Sequence, residues 1–471
     1  MFNNILNFLS SLSSGPIMMI FLVGTGIYLS IKTDFMQLKH FKLITKKTIG
    51  TTVNKENVGK GELTSFQALT TALAATVGTG NIAGVAGAIT VGGPGAIFWM
   101  WVSALFGMVT KYAEVVLAVK YRERNEKGDY VGGPMYYIKN GLGSKFNWLA
   151  SLFCVFGSLA AFGIGNMTQV NTIANSINAL FKTFNLSIQN YSFELIGQTV
   201  PLTSLFIGII IAILVALVLF GGIKRIGQVA EKMVPLMALI YVICSILIIL
   251  VNIKYIPSIL VSIIKGAFNS KSVLGGAVGI TIMTTIQKGV GRGVFANEAG
   301  LGSAPMAHAT TTEQNPVTQG LTGVIEVFIV SFVICTMTAL VLMCGYYNGV
   351  EVTWGQSYGA DIISACIGTL LGNHAASIII TISISLFALS TLLTWSLYGT
   401  RCFEFIFGQK NTKLYQTLFI IGIVIGACLK LDLVWTIAEM LNGFMAVPNL
   451  IALIVLSPTV IQLTKEYFIN K

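Results

Sequence analysis

Long apolar runs tile this chain from end to end, separated by short polar stretches. The segments 205–220 and 237–251 are almost free of charge and reach spanning length once their flanks are included. About 20 apolar residues suffice to cross the hydrocarbon core of a bilayer. There a helix satisfies its own backbone hydrogen bonds without water. The pattern predicts about eleven spans, near 17–31, 66–90, 95–119, 148–180, 203–221, 232–252, 273–302, 318–345, 374–400, 414–429 and 432–456. The expected class is an all-α polytopic membrane protein, with residues 1–471 forming one integral membrane domain.

Composition agrees with this pattern. Of 471 residues, 54% are hydrophobic and 10% charged, against about 25% charged in a soluble domain. Such a chain cannot cover its surface with polar groups and needs lipid as its solvent. The net charge of +11 does not point to nucleic acid, because the basic residues occupy a subset of the loops. Basic loops mark the cytoplasmic side. Lys32, Lys39, Lys42, Lys46, Lys47, Lys55 and Lys60 follow the first span, whereas residues 1–16 contain no Lys or Arg. That places the N-terminus outside and gives the start no positive region of the kind a cleavable signal needs. Lys120, Arg122, Arg124, Lys127, Lys139 and Lys145 mark the next inner loop, and loop 181–202 holds only Lys182. Lys224, Arg225 and Lys232, then Arg401, Lys410 and Lys413, continue the alternation and put the C-terminus inside. Lys254, Lys265 and Lys271 break the rule and are assigned to an external amphipathic helix near 256–268. The scattered Cys154, Cys244, Cys335, Cys344, Cys366, Cys402 and Cys428 form no CxxC pair and read as reduced packing residues.

The most informative stretch is 65–95, whose centre reads Thr76-Val77-Gly78-Thr79-Gly80-Asn81. Glycine weakens a helix, and an unwound backbone inside a bilayer is tolerated only where protein or a water-filled cavity surrounds it. Freed carbonyls can hold a cation, and the half-helix after the break points its amides at an anion. Gly80 and Gly84 also make a GxxxG packing face, but packing alone leaves Thr76, Thr79 and Asn81 unexplained. The match of 78–83 to the dinucleotide pattern GxGxxA lacks the preceding strand that pattern requires. A second glycine-rich stretch, QKGVGRGVFANEAGLGSAP, covers 287–305 and shares VGxGxxA with the first. With the first span peripheral, ten remain, and the two breaks fall in the first and sixth. Interrupted helices in equivalent halves point to a transporter's substrate site. The halves are then 66–252 and 273–456, with 17–31 outside them.

The run GGPGAIFWMWVSALFG at 92–107 resembles the signature of the alanine/glycine:cation symporters, also called sodium:alanine symporters. Phe162-Gly163-Ile164-Gly165-Asn166 and the string NEAGLGSAP at 297–305 resemble two further segments of that family. The likeness extends over nearly the whole chain. It implies the leucine-transporter fold, a 5+5 inverted repeat preceded by one extra helix. It also implies import of alanine or glycine across the cell membrane by alternating access, coupled to Na+, with no organic cofactor. Partners are then the small amino acid and membrane lipid, and the unit is expected to work as a monomer.

For a zwitterionic substrate, the carboxylate is expected at the amides of Thr79 and Gly80. The ammonium is expected at carbonyls near Ala75 and Gly289, with Gly78 and Gly291 allowing close backbone approach. Trp395, one turn beyond Thr391, would wall the site against larger side chains. By resemblance to the leucine-transporter fold, the ion lies between the carbonyls of Ala74 and Val77 and the hydroxyls of Ser390 and Thr391. Asn81 would contribute to a further ion site. Phe162, Asn166 and Gln169 fall at helical spacing and are candidates for the cavity wall. Glu326, in an apolar span, is a coupling candidate if deep and unpaired, with Arg292 or another base as its alternative partner. If it is unpaired, the coupling ion would be a proton. Asn297 and Glu298 are expected to organise the inner gate. A channel pore is normally built by repeating a subunit, and no phosphate loop, HExxH or GxSxG occurs. His40, His308 and His374 are isolated in sequence, which speaks against an enzyme.

Overall fold

The computed structural model describes residues 13, 15–53, 62–186, 188, 191–195, 198–269, 280–429 and 432–469. Residues 1–12, Lys55, Lys60, Lys271 and the start of the expected span 273–302 lie outside the described residues. Each expected span has a helix. These are α1 (Pro16–Lys32), the bent pair α2 (Ser65–Thr76) and α3 (Ala83–Gly92), α4 (Gly95–Lys120), α5 (Ser144–Thr183), α6 (Leu202–Leu219) and α7 (Gly222–Val251). There follow α8 (Ile282–Asn297), α9 (Pro316–Tyr347), α10 (Asn373–Phe407), α11 (Gln409–Cys428) and α12 (Asp432–Val455). Among the described residues, eight helices are long and apolar enough to cross a membrane, or up to nine with the α2–α3 pair taken as one span. α1 and α8, of 17 and 16 residues, are shorter. The amphipathic helix expected near 256–268 is present as Ile256–Phe268, burying Ile259, Ser262, Ile263, Gly266 and Ala267 on one face.

α6 and α7 leave Ile210, Ile213, Leu217, Leu239 and Leu247 exposed, a face suited to hydrocarbon. The interior is assembled around α4, against which α1, α8 and α9 pack, while α10 lies between α2 and α5. Close approach of α8 to α4 explains the glycines of α8. A Cβ at Gly289 would sit 2.5 Å from the Ala96 carbonyl oxygen and 2.6 Å from Trp99 Cβ. Gly291 faces Met19 of α1.

The first break stands where the sequence placed it. α2 starts at a capping box, in which Thr64 accepts from the Gln67 amide and the Gln67 side chain accepts from the Thr64 amide. It stops at Thr76, and a single 3₁₀ turn, Thr79–Asn81, leads into α3 at an angle of 61°. The second break falls within the expected stretch 287–305, but at its far end rather than at Gly289 and Gly291. α8 runs helically through Gly289, Gly291 and Gly293 and ends at Glu298, whose φ of 55° is left-handed. The chain is then unwound to Ala304, with positive φ at Gly300 and Gly302. The glycines at 289–293 therefore serve packing, and the unwinding belongs to 298–304.

That unwound segment is held by buried charge. Glu114 Oε1 accepts from the amides of Gly300 and Gly302 at 3.1 and 3.0 Å and from Asn449 Nδ2 at 2.6 Å. Lys111, fully buried, lies 3.4 Å from Glu326 Oε1 and donates to the Glu298 carbonyl oxygen at 3.4 Å. The other Glu326 oxygen meets His308 Nε2 at 3.0 Å. Gln319 Oε1 accepts from Ser65 and Thr311, so its amide nitrogen faces His308 Nδ1 at 2.9 Å. That nitrogen must then be the acceptor, and Nε2–H donates to Glu326. Glu326 is fully buried and paired, the second of the two alternatives, with Lys111 and His308 as its partners rather than Arg292.

Removing one member of a buried ion pair leaves a lone charge and typically costs about 3–5 kcal/mol. Lys111→Met is expected to lower thermal stability in detergent by that order, and Glu326→Gln in the same chain to recover part of it. Unfolding monitored by circular dichroism reads both.

Candidate functional site

Ending α2 at Thr76 strips the carbonyls of Ala74, Ala75 and Thr76 of the amide donor a continuing helix would supply. Their new partners are side chains. Asn81 Nδ2 donates to the Thr76 carbonyl at 2.6 Å, folding the break back on itself. The backbone of Asn81 is fixed in turn by Thr338, whose hydroxyl donates to its carbonyl at 2.8 Å. Thr391 of α10 brings its hydroxyl to the carbonyls of Ala74 and Ala75 at 3.3 and 3.4 Å and to Phe387 of its own helix at 2.9 Å. One hydroxyl proton can serve only one of these three oxygens at a time. Gly78 leaves room for this contact, since a Cβ there would lie 2.9 Å from Thr391 Oγ1.

α5 supplies the opposite wall through a π-helical turn, Gly163–Met167. Gln169 donates to the Ile164 carbonyl at 2.8 Å, which leaves its Oε1 to accept from the Thr79 hydroxyl at 3.1 Å. Gly165 lies directly against Trp395 of α10. The Trp395 indole N–H in turn donates to Glu298 Oε1 at 3.3 Å, and Ser303 donates to Glu298 Oε2. Two broken helices, α5 and α10 thus converge.

They enclose a cavity of about 560 Å³. Of the residues expected there, Ala75, Gly78, Thr79, Gly80, Asn81, Gln169, Thr391 and Trp395 line it, and so do Arg292 and Glu298. Ala74, Val77 and Ser390 lie buried behind the surface, and the Ser390 hydroxyl donates to Phe387 at 2.8 Å. Gly289 and Gly291 are placed in the helical part of α8 and do not reach the cavity. Phe162 and Asn166 turn to α11 instead. Asn166 Nδ2 donates to the Phe419 carbonyl at 2.6 Å, and Phe162 packs on the Tyr415 and Phe419 rings. A π turn carries an extra residue, so the spacing that would put Phe162, Asn166 and Gln169 on one face of a regular helix fails across Gly163–Met167. Asn297 lies beneath the cavity, bonded to Ser331 and to the amide of Ala299, both at 3.0 Å. Glu326 lies in the buried charge cluster, outside the cavity.

The structure adds Phe295, Tyr358, Trp435 and Glu439 to the lining. Glu439 carries a signal in sequence, because a carboxylate within an apolar span is a functional candidate by default. Among the described residues no group of three or more His, Cys, Asp or Glu converges as a metal site.

The family model described as "Sodium:alanine symporter family" matches residues 1–471. The chain belongs to the sodium:alanine symporter family. Like the rest of that family it is a multi-pass membrane transporter rather than an enzyme, and its activity is amino acid symport. It is 41% identical over 470 residues to the sodium/alanine symporter AgcS of Methanococcus maripaludis, covering 99% of this chain and 97% of the relative. It is 44% identical over 467 residues to a transporter of Haemophilus influenzae, covering 99% and 96%. The crystal structure of MhsT in complex with L-phenylalanine superposes with a TM-score of 0.57 at 13% identity, over 86% of this chain and 99% of that one. The symporter thus shares the leucine-transporter fold.

Within this symporter the two polar residues of α5 are expected to separate cleanly. Gln169→Ala, which removes the partner of Thr79, should lower the apparent affinity for amino acid. Asn166→Ala should instead lower stability by about 1 kcal/mol with affinity retained. Uptake kinetics and thermal unfolding on both variants check this.

Proposed function

We propose that this protein imports alanine or glycine together with Na+. The observation that supports the ion site is the crowding of the Ala74, Ala75 and Phe387 carbonyls around the single proton of Thr391. Two of these three oxygens are left facing hydroxyl lone pairs, an arrangement that a cation between them relieves. Oxygens 3.3 Å apart match adjacent ligands of a hard cation held at about 2.4 Å. Ser390 and Val77 complete the proposed set, and Asn81 belongs to a second site.

The substrate sits beside this ion, its carboxylate at the first amides of the 3₁₀ turn, Thr79 and Gly80, and its ammonium at the carbonyl of Ala75. Carbonyls of the second break replace the Gly289 carbonyl in this role. Trp395, 1% exposed and held by Glu298 and Gly165, caps the side-chain pocket and favours a methyl group or hydrogen. Glu298 and Asn297 hold the inner wall. A large driving force is available. One charge crossing 100 mV supplies about 2.3 kcal/mol and a tenfold sodium gradient about 1.4 kcal/mol. Their sum allows accumulation of several hundredfold, without an organic cofactor.

The sidedness drawn from the basic loops puts loop 357–359 outside and 63–65 inside. On that assignment the cavity faces outward and is closed below by a parallel bridge between Leu63 and Thr311. Residues 66–252 and 273–456 form the inverted halves, α1 lies outside them, and one chain is the working unit. Pairing of Glu326 with Lys111 and His308 favours Na+ over a proton as the coupling ion.

Purified protein in liposomes is expected to accumulate labelled alanine only under an inward Na+ gradient. Thr391→Ala should abolish that dependence, and Thr391→Ser should keep most of it. Accumulation driven by a proton gradient alone would sink the sodium assignment. No uptake of any small amino acid by folded protein would sink the substrate.

A further inference from the structure

Among the described residues Arg292 is the one cation in the cavity lining. Its guanidinium lies directly over Gly80 and Gly84, where any side chain would collide with it. Its Nε is buried without a hydrogen-bond partner, and among the described residues no ion pair to it is formed. Buried donors are normally satisfied, and a guanidinium carries five of them. Arg292 as a whole is half-buried at the cavity wall, and an unpaired cation in an apolar span is costly. The carboxylates nearby do not satisfy it. Neither Glu298, whose oxygens accept from Trp395 and Ser303, nor Glu439 forms an ion pair with the guanidinium, although both line the cavity.

Gly80 and Gly84 flank the start of α3, a helix of ten residues. The positive end of its dipole and its first amides favour an anion there. Guanidinium and helix start therefore aim at one spot from two sides. We infer that Arg292 binds the substrate's carboxylate, clamping it against the amides of Thr79 and Gly80, so that the site selects for a free α-carboxylate. A planar guanidinium matches a carboxylate with two parallel hydrogen bonds, which an ammonium group cannot do. The two glycines are then required because a side chain at either would displace the clamp. This inference rests on reading the cavity as the amino acid site.

The test is equilibrium binding of radiolabelled alanine to the purified full-length protein in Na+, with L-alaninamide, which lacks the carboxylate, as competitor. Removing one partner of a desolvated charge pair weakens binding about thirtyfold or more. Arg292→Gln is expected to lose at least that much alanine affinity while alaninamide binding changes by less than about threefold on the same scale. Arg292→Lys should fall between. Gly84→Ala keeps the charge but pushes the guanidinium aside, and should erode the preference for alanine over alaninamide in the same direction. It carries the test if Arg292→Gln does not fold, which sodium-dependent thermal stabilisation reveals. Unchanged alanine affinity in Arg292→Gln overturns the assignment. Unchanged binding with transport lost overturns it in favour of a closing contact with Glu439. If the wild type binds no small amino acid, the substrate reading falls and takes this one with it; if it binds alanine, the Arg292 variants test the clamp alone.

Discussion

A main-chain carbonyl in the middle of a bilayer has no water to turn to, so it must find its partner inside the protein. Stopping α2 at Thr76 releases three such carbonyls at once, and much of the surrounding architecture is the answer to that demand. Asn81 folds back to take one. Thr391 is brought by α10 to the other two but has too few protons for them. In the proposed reading this shortage is what would draw a cation, because neutral oxygens gathered without enough donors form a negative pocket. Gln169, tied to the Ile164 carbonyl within the π turn of α5, fixes Thr79 on the far side of the break. Packing and chemistry are thus the same set of contacts.

The second unwound segment meets the constraint differently. Between Glu298 and Ala304 side chains satisfy amides as well as carbonyls: the single oxygen Glu114 Oε1 accepts from two amides, while Lys111 and Asn449 donate to the carbonyls of Glu298 and Gly300. A carboxylate can accept several donors at once, which suits it to an unwound backbone. Its charge then needs company, and Lys111, set one turn before Glu114 on α4, is the buried cation of the region. One lysine serves the neighbourhood of Glu114, Glu298 and Glu326. The two breaks meet where Trp395 of α10 reaches Glu298, so the cavity wall is anchored in this charged scaffold.

Much of this is legible in the chain. The helical, multi-pass class follows from apolar runs, and the first break from polar residues beside glycine where hydrocarbon is expected. Thr391 and Trp395 stand out as a hydroxyl and an aromatic one turn apart on an apolar helix. Other signals are ambiguous for physical reasons. Glycine permits both unwinding and close packing, so Gly289 and Gly291 read as a break, although Ala96 and Trp99 of α4 show that α8 packs there. The true unwinding lies a few residues on, at a glutamate with φ of 55°, a conformation that sequence does not announce. A regular helical period groups Phe162, Asn166 and Gln169, and one π turn breaks it. Glu439 is visible as an acid in an apolar run, but nothing in its neighbours along the chain tells that it faces the cavity.

The parallel bridge between the chain just before α2 and the chain just before α9 consists of main-chain bonds, Leu63 N–H to Thr310 and Thr312 N–H to Leu63 at 2.9 and 2.8 Å, with Ser65 donating to Gln319 beside them. Arg122 holds the other strand of the bridge through the carbonyls of Ala309 and Thr311. The main-chain contacts across the seam are polar, although the Leu63 side chain is buried in the apolar core. Each group released by parting the bridge can be rehydrated as water enters, so a bond given up returns nearly its full value and the net loss is about 1 kcal/mol apiece. Greasy side chains pulled apart would instead meet water with no compensation. If this seam closes the cavity as proposed, its polar contacts would let closed and open forms lie close in energy, and small differences in what the cavity contains would then decide between them.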